Sequence, residues 1–220
     1  MFQFFKKNKA ELPQFWKDYD LKFKDKMSDD LEDKTFCVLD TETTGFDYSK
    51  DRILCIGAIN LRQRRIEIKD GFEVFIVQQV YGKDAAPIHG ILKNSLIPRV
   101  SELEALEQFV DYVGNSIIIA HHAIFDLNMI NNALLRNGLP ELKNTYLDTS
   151  HLYKKTIIKS NLITKKEHYT LDELADKFTI SKKDRHTAMG DAYITAILFL
   201  KILNKLQESG KKVTLKDLLK

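Results

Sequence analysis

The sequence is poor in cysteine, and this scarcity narrows the classes of protein to consider. Only two cysteines occur in 220 residues, Cys37 and Cys55, and both lie inside apolar stretches. A C-x-x-C pair and a Cys/His zinc spacing are both lacking, so the sequence offers no zinc-binding or dithiol redox motif. Buried, reduced thiols are expected, which fits a cytoplasmic protein.

Long apolar runs are lacking too. No stretch approaches the roughly 20 residues that a bilayer-spanning helix needs, and the most apolar helix candidate, residues 192–203, contains Lys201. The first ten residues contain lysines but no apolar segment of the secretory type. We therefore expect no membrane partner. The sequence also contains no internal repeat and no low-complexity tract.

The charged residues are unevenly distributed along the chain. The formal net charge is +3, but residues 1–34 are neutral, residues 35–142 carry −4 and residues 143–220 carry +7. An acidic middle beside a basic last third suits a cation site next to a surface that attracts a polyanion. The alternative is that lysine is simply a common surface residue in this chain.

The first 34 residues form a predicted N-terminal extension. Apolar residues at helical spacing predict a short amphipathic helix: Leu12, Phe15, Trp16, Tyr19 and Phe23. An acidic linker, residues 28–33, follows. The helix either packs back on its own domain or docks to a partner chain, and the sequence leaves both alternatives open.

Residues 35–208 form the predicted domain, and residues 209–220 a tail with a possible short helix. Strands are predicted over residues 35–40, 52–61, 65–77 and 116–120. Helices are predicted over residues 101–113, 124–137, 171–178 and 187–207. Strands followed by alternating helices imply an α/β domain with one mixed sheet and helices packed on it.

Two acids stand at the end of the first predicted strand. Asp40 and Glu42 are spaced i, i+2 and are followed by Thr43, Thr44 and Gly45. Alternate strand residues project to the same face, so the two carboxylates repel each other unless a cation lies between them. A divalent metal with oxygen ligands satisfies this arrangement. A solvated acidic loop is the alternative.

Two later stretches place further acids and histidines beside buried elements. His121, Phe125 and Asp126 follow a predicted strand at the start of a helix, although Asp126 alone would also fit an ordinary acid in a first helical turn. His186 precedes the longest predicted helix, and Asp191 lies in its first turns. A carboxylate beside such an apolar helix is costly unless it is paired or binds a metal.

The three stretches together resemble a known family. D-x-E-T-T-G, H-x-x-x-F-D and H-x-x-x-x-D follow one another across roughly residues 35–205, in the order typical of the DEDD exonucleases of the histidine subgroup (DEDDh, DnaQ-like). Within that family the sequence is most similar to the epsilon proofreading type of bacterial DNA polymerase III and its stand-alone relatives. The resemblance implies a ribonuclease H-like mixed sheet flanked by helices. It also implies 3′→5′ removal of nucleoside monophosphates with two Mg²⁺ or Mn²⁺ ions.

The resemblance also assigns roles by motif position. Its metal-binding carboxylates are Asp40, Glu42, Asp126 and Asp191, with His186 as the general base. Contacts with the 3′-terminal nucleotide or its strand are expected at Thr43, Thr44, Gly45, His89, His121, Phe125 and Arg185. Relatives often have asparagine where this chain has His122, which leaves the substrate contacts at that position open.

A basic and aromatic stretch is the candidate track for the substrate. Residues 153–169 interleave lysines with aromatics, and Lys182, Lys183 and Arg185 add charge near His186. Such a surface binds single-stranded 3′ ends through phosphate attraction and base stacking; a solvated surface is the alternative.

The predicted function is 3′→5′ exonuclease activity, with DNA favoured over RNA by the resemblance, and proofreading in trans with a DNA polymerase subunit. An RNA-processing or oligonucleotide exonuclease and a non-catalytic polymerase-associated binding subunit are the alternatives.

Overall fold

A mixed sheet of six strands forms the centre of the fold. The computed structural model describes residues 11–24, 28–79, 90, 91, 96–157, 166–208, 210 and 212–220. The strands are β1 (Thr35–Thr43), β2 (Ile53–Arg62), β3 (Arg65–Ile66), β4 (Phe72–Phe75), β5 (Ile117–Ala120) and β6 (Tyr146–Asp148). Their order is β3-β2-β1-β5-β6, with β4 also paired to β2. β1 is antiparallel to β2 and parallel to β5, and β5 is parallel to β6.

The helices are named in chain order. They are α1 (Gln14–Leu21), α2 (Glu102–Val113), α3 (Ile124–Arg136), α4 (Thr149–Lys155), α5 (Leu171–Lys177), α6 (Ala188–Gln207) and α7 (Leu215–Leu219). Side-chain caps fix where several of them begin. Ser101 accepts from the backbone N–H of Glu104, and Thr170 forms a reciprocal capping box with Glu173. None of the helices in the described ranges is long and apolar enough to span a bilayer.

Each face of the sheet is covered by its own apolar core. Cys37 and Leu39 of β1 contribute to the core shared with α1, α2 and α3. Phe36 and Val38, which alternate with them, contribute to the core shared with α4 to α7. A strand buried on both faces reads as a continuous apolar run, and this is why β1 and β5 were predictable.

The predicted strand over residues 65–77 is wrong as a single element. It divides into β3 and β4, with a 3₁₀ turn at Ile68–Asp70 between them. Ile68 is 65% exposed, and the polar residues after it favour a turn over continued pairing. Both pieces are antiparallel to β2.

The N-terminal helix α1 packs against the body of the protein. Trp16 and Tyr19 are each 1% exposed and belong to the first core. The hydroxyl of Tyr19 donates to Asn144 Oδ1 at 2.6 Å and accepts from the backbone N–H of Lys143 at 2.8 Å. Of the two alternatives for this helix, packing back on its own domain is the one observed.

Candidate active site

Three acidic side chains meet at the end of β1. The strand stays extended through Thr43, so Asp40 and Glu42 project to the same side. Asp191, in the first turn of α6, faces them. One carboxylate oxygen from each of Asp40, Glu42 and Asp191 lies within 4.8 Å of the other two. Residues distant along the chain therefore form the predicted cluster.

Gly57 lets the start of α6 approach the sheet, and Gly190 lets the loop before α6 pack against the first turn that contains Asp191. Gly57 pairs with Asp40 across β1 and β2, and a Cβ there would lie 2.3 Å from the carbonyl carbon of Ala188. At Gly190 a Cβ would lie 1.8 Å from the backbone oxygen of Asp184. Neither glycine was predicted from the sequence as a point of close approach. The available signal was at Gly57, because a glycine inside an apolar strand often marks close backbone approach.

Asp126 lies beside this cluster, in the first turn of α3. It is 3% exposed and lines the same cleft as the other three acids. Its Oδ1 accepts from the backbone N–H of Thr41 at 3.0 Å and from the Thr41 hydroxyl at 2.7 Å. Thr41, which lies between Asp40 and Glu42 on β1, thus fixes the carboxylate of Asp126.

Burial raises the pKa of all four acids in the cleft, and repulsion between carboxylates adds to the rise at Asp40 and Glu42. Burial raises the pKa of Asp40 well above its usual value, and repulsion from Asp126, Asp191 and Glu42 adds to the shift. Burial, then repulsion from Asp191, raises the pKa of Glu42 to about 7. Burial raises the pKa of Asp126 to about 7 against the opposing hydrogen bonds from Thr41. The site therefore disfavours its own negative charge unless cations neutralise it.

Asp191 is held by an arginine on one oxygen only. Nη1 of Arg185 donates to Asp191 Oδ2, while Nε and Nη2 donate to the two oxygens of Asp172 at 2.9 and 3.0 Å. Oδ1 of Asp191 is buried and has no hydrogen-bond partner among the residues that the structure describes. Burial raises the pKa of Asp191, and Arg185 offsets part of that rise. A buried, unpartnered carboxylate oxygen beside two other carboxylates fits a cation-binding site.

His186 lies at the rim of the same cleft, whose volume is about 480 Å³. It stands on the loop before α6 with φ of 64°, a left-handed conformation that non-glycine residues seldom adopt. Its side chain is exposed. Strained backbone of this kind is common at functional sites.

Comparison with known proteins identifies the family. The family model described as "Exonuclease" matches residues 37–199, a span that contains the four acids and His186. The chain belongs to this exonuclease family.

DNA polymerase III proteins are among the relatives of this chain. DNA polymerase III PolC-type from Caldanaerobacter subterraneus subsp. tengcongensis is 33% identical over 178 residues, which cover 80% of this chain and 12% of that protein. DNA polymerase III subunit epsilon from Aquifex aeolicus is 30% identical over 185 residues, covering 82% of this chain and 86% of that protein. The chain thus spans only a small part of the PolC-type polymerases and most of the epsilon subunit. The resemblance to the epsilon type is confirmed.

Solved structures confirm the predicted fold. E. coli exonuclease I in complex with a dT13 oligonucleotide superposes with a TM-score of 0.67 at 18% identity, covering 80% of this chain and 42% of that one. Exonuclease X in complex with 5′ overhanging duplex DNA superposes with a TM-score of 0.58 at 22% identity, covering 80% and 94%. The chain therefore has the ribonuclease H-like α/β fold.

The turn after β1 uses its threonine hydroxyls internally. Thr43 donates to the backbone oxygen of Gly45 at 2.8 Å, and Thr44 donates to Asp51 Oδ1 at 2.8 Å. A Cβ at Gly45 would lie 2.5 Å from Asp51 Oδ2. Asp51 therefore organises this turn, and the predicted substrate contacts of these residues remain a prediction. His89 lies outside the described residues.

His121 links β5 to α4 and to the segment before α5. Its Nε2 lies 2.8 Å from the backbone oxygen of Tyr169, and its Nδ1 lies 2.8 Å from the Thr149 hydroxyl. A carbonyl oxygen can only accept, so we assign the proton to Nε2 and the acceptor role to Nδ1. Burial lowers the pKa of His121 to about 4, with a further contribution from His122. The ring faces the cleft, but both nitrogens are engaged within the protein.

An aromatic residue that the sequence analysis missed stands at the mouth of the cleft. Phe46 is 83% exposed, and its ring centroid lies 5.9 Å from that of Phe125. Both residues line the cleft. The sequence signal for Phe46 was its position as an aromatic residue in an otherwise polar turn, directly after the D-x-E-T-T-G motif.

The predicted basic track is partly neutralised by internal contacts. Tyr153 is 2% exposed and packs among aromatics, so it presents no face to a base. Lys155 donates to the backbone oxygen of Leu218 at 2.7 Å. Lys166 pairs with Glu173, and Lys182 pairs with Asp176. Among the described residues, two lysines of this surface are therefore paired with acids. Residues 158–165 of the predicted track lie outside the described residues, so the track as a whole remains a prediction.

Proposed function

We propose that this chain is a metal-dependent 3′→5′ exonuclease that releases nucleoside 5′-monophosphates from single-stranded DNA ends. The observation that carries the proposal is the convergence of Asp40, Glu42 and Asp191 within 4.8 Å, with Asp126 beside them. Burial raises the pKa of all four groups, and repulsion from the other acids of the cleft adds to the rise at Asp40 and Glu42. Such a cluster has little structural value, because it opposes its own ionisation, but it suits binding of divalent cations.

The donor set favours Mg²⁺ or Mn²⁺, since all four ligand side chains offer only oxygen. Asp40, Glu42 and Asp191 would hold one ion, and Asp40 with Asp126 would share a second. The resemblance to the family implies that Asp40 would contact both ions. When bound, two ions supply Lewis-acid stabilisation of the phosphate and a water of lowered pKa.

His186 is proposed as the general base. It stands at the rim of the cleft that contains the acids, and an imidazole can accept a proton near neutral pH. Its exposed position lets the acquired proton pass to solvent after each cycle. General-base catalysis of this kind contributes about 10²–10⁴-fold in rate.

Phe46 and Phe125 are proposed to bind the base of the terminal nucleotide. Stacking on an aromatic ring depends little on base identity, which suits an enzyme that removes any terminal nucleotide. The same rings favour single strands, because a base within a duplex does not present a free face. Relatives named as DNA polymerase III proteins and a structural neighbour bound to an oligonucleotide support DNA as substrate and proofreading beside a polymerase subunit. A cytoplasmic location remains part of this proposal.

Matched oligonucleotides labelled at the 5′ or the 3′ end test the proposal. Single-stranded DNA and RNA are incubated with Mg²⁺, Mn²⁺ or EDTA, with wild-type protein and the D40N variant. We expect 5′-labelled DNA to shorten progressively and the 3′ label to leave as a mononucleotide, with no reaction in EDTA or with D40N.

Three outcomes would change the assignment. Release of a 5′-terminal mononucleotide, or cleavage in EDTA, would contradict the mechanism. Faster cleavage of RNA than of DNA would favour the RNA-processing alternative. A protein that binds Mn²⁺ yet degrades neither polymer would favour the non-catalytic binding subunit.

A further inference from the structure

An ion-pair bridge connects helix α5 to the acidic cluster. Arg185 makes a bidentate pair with Asp172, in the first turn of α5, through Nε and Nη2. Its remaining Nη1 donates to Asp191 Oδ2. The Arg185 side chain is 15% exposed and that of Asp172 is 44% exposed, so the bridge is half-buried beside the cleft.

The bridge divides the two oxygens of Asp191 between different partners. Oδ2 belongs to Arg185, while the buried Oδ1 has no hydrogen-bond partner within the described part of the chain. A carboxylate held in this way offers one oxygen, in a fixed orientation, to a cation between Asp191, Asp40 and Glu42. Partners that orient a metal ligand through a hydrogen bond commonly change metal affinity when they are removed.

Arg185 is also a potential competitor for the site. A guanidinium prefers a bidentate carboxylate partner, and Asp172 supplies one. Without Asp172, the two freed donors would be available to Asp191, which Nη1 already binds, and would compete with a cation for its Oδ1. Asp172 therefore decides whether Arg185 orients Asp191 for a cation or occupies the oxygen that the cation would need.

We propose that Asp172 is a positioning residue for the metal centre: it holds Arg185 in a bidentate pair, so that Asp191 keeps one oxygen free for a divalent ion. This inference rests on the proposed metal-dependent function and extends it to a residue outside the acidic cluster. Arg185 directly precedes His186, so the same pair also anchors the loop that carries the proposed base.

Binding of Mn²⁺ to the full chain tests the inference without any turnover. Free Mn²⁺ is measured by electron paramagnetic resonance during titration of wild type, D172N, D176N, R185M and the D172N/R185M double variant. D176N is the matched control, because Asp176 lies on the same helix, pairs with Lys182 and does not contact Arg185. We expect D172N to weaken Mn²⁺ binding about 10-fold, at the low end of effects for such partners, and D176N to change it less than about 2-fold.

The double variant separates positioning from a general effect on the fold. If Asp172 acts through Arg185, adding D172N to R185M changes Mn²⁺ affinity no more than D176N changes it in wild type. An equal loss in both backgrounds would overturn the inference, as would wild-type affinity in D172N. Thermal unfolding of each variant verifies that it is folded. D172S, which also lacks a bidentate partner, is the second variant if D172N does not fold.

Failure of this inference is distinct from failure of the proposed function. Wild-type protein that does not bind Mn²⁺, or binds it no better than D40N, would overturn the metal centre and the positioning role with it. Wild-type binding that D40N abolishes and D172N leaves unchanged would overturn the positioning role alone.

Discussion

The acidic centre differs from the polar groups around it in how far the protein itself satisfies their charges and hydrogen bonds. The four acids lie on β1, α3 and α6, elements whose buried residues fix them in the two cores, and their carboxylates crowd together at raised pKa. Outside this centre, Thr44, His121 and Lys155 have their polar atoms engaged by the protein itself. The centre is thus rigidly placed and electrostatically unsatisfied, whereas these other groups are satisfied without a ligand.

This contrast indicates where a ligand gains most from binding. A dication entering the cleft relieves repulsion that the fold leaves uncompensated. A strand of nucleic acid on the surrounding surface must instead compete with existing hydrogen bonds and ion pairs, so its contacts come chiefly from groups such as Phe46 that have exposed area to offer. The predictions below test the two halves of that contrast, beginning with the largest effect.

Replacing Asp40 by asparagine removes the carboxylate that faces the other three acids. We expect exonuclease activity to fall about 10⁴-fold or to background, because metal-based charge stabilisation amounts to several kcal/mol and about 1.4 kcal/mol corresponds to tenfold. Steady-state release of mononucleotide measures the change. Glu107→Gln is the control for loss of an acid, since Glu107 is exposed on α2 and does not line the cleft. Equal losses in the two variants would mean that charge in general, rather than the cluster, supports activity.

Replacing His186 by alanine should leave the centre intact while removing the proposed base. Activity is expected to fall about 10²–10⁴-fold, with Mn²⁺ affinity within a few-fold of wild type, because His186 is exposed at the rim rather than among the acids. Single-turnover cleavage and Mn²⁺ titration give the two readings. Turnover at the wild-type rate would remove His186 from the mechanism.

Replacing Phe46 by alanine probes the surface half of the comparison. We expect single-stranded DNA binding to weaken about 10-fold, within the about 1–3 kcal/mol that a stacked base contributes, and thermal stability to stay constant because the side chain is 83% exposed. Fluorescence anisotropy with the D40N protein as background measures binding without cleavage. Tyr48→Ala, at a 45% exposed aromatic of the same turn, is the matched control. An equal effect of the two replacements would argue against a specific stacking position.

Replacing Glu42 by glutamine should make the metal-free protein slightly more stable. The pKa of Glu42 rises from its ordinary value of 4.5 to about 7 in the folded protein, so the folded state binds the proton more tightly than the unfolded state does. This group therefore favours the folded state most below about pH 4, and that contribution is lost as pH rises through about 7. At pH 8 the E42Q variant lacks this penalty, and we expect a gain of about 1–2 kcal/mol, or a rise in Tm of about 3–6 °C.

Calorimetry in EDTA, from pH 5 to pH 8, measures this smallest effect. The gain of E42Q over wild type should grow as pH rises from 5 to about 7 and level off above that. Added Mg²⁺ or Mn²⁺ should stabilise wild type more than E42Q, since a ligand stabilises the state that binds it. A destabilised E42Q at pH 8 without metal would mean that Glu42 makes a structural contact instead.

The parts of the site that lie on regular elements were predictable from sequence. Period-two alternation places Asp40 and Glu42 on one side of β1, and strand and helix boundaries place Asp126 and Asp191 at the ends of buried elements. These inferences need only local geometry, together with the order of motifs along the chain.

The remaining features depend on tertiary contacts that no local pattern carries. Arg185 was expected to meet the substrate, but its guanidinium is shared between Asp172 and Asp191. Tyr153 was included in a basic track, yet it lies in the second core. Gly57 is needed because the start of α6 crosses β2 at that residue, and the crossing point follows from the packing of the whole sheet.

Anomalous X-ray scattering from crystals soaked in Mn²⁺ tests the central claim most directly. The account predicts two manganese peaks about 4 Å apart, with Asp40 contacting both and with Glu42, Asp126 and Asp191 completing the oxygen ligands. Peaks at other side chains, or an acidic cleft without manganese at saturating concentration, would contradict it.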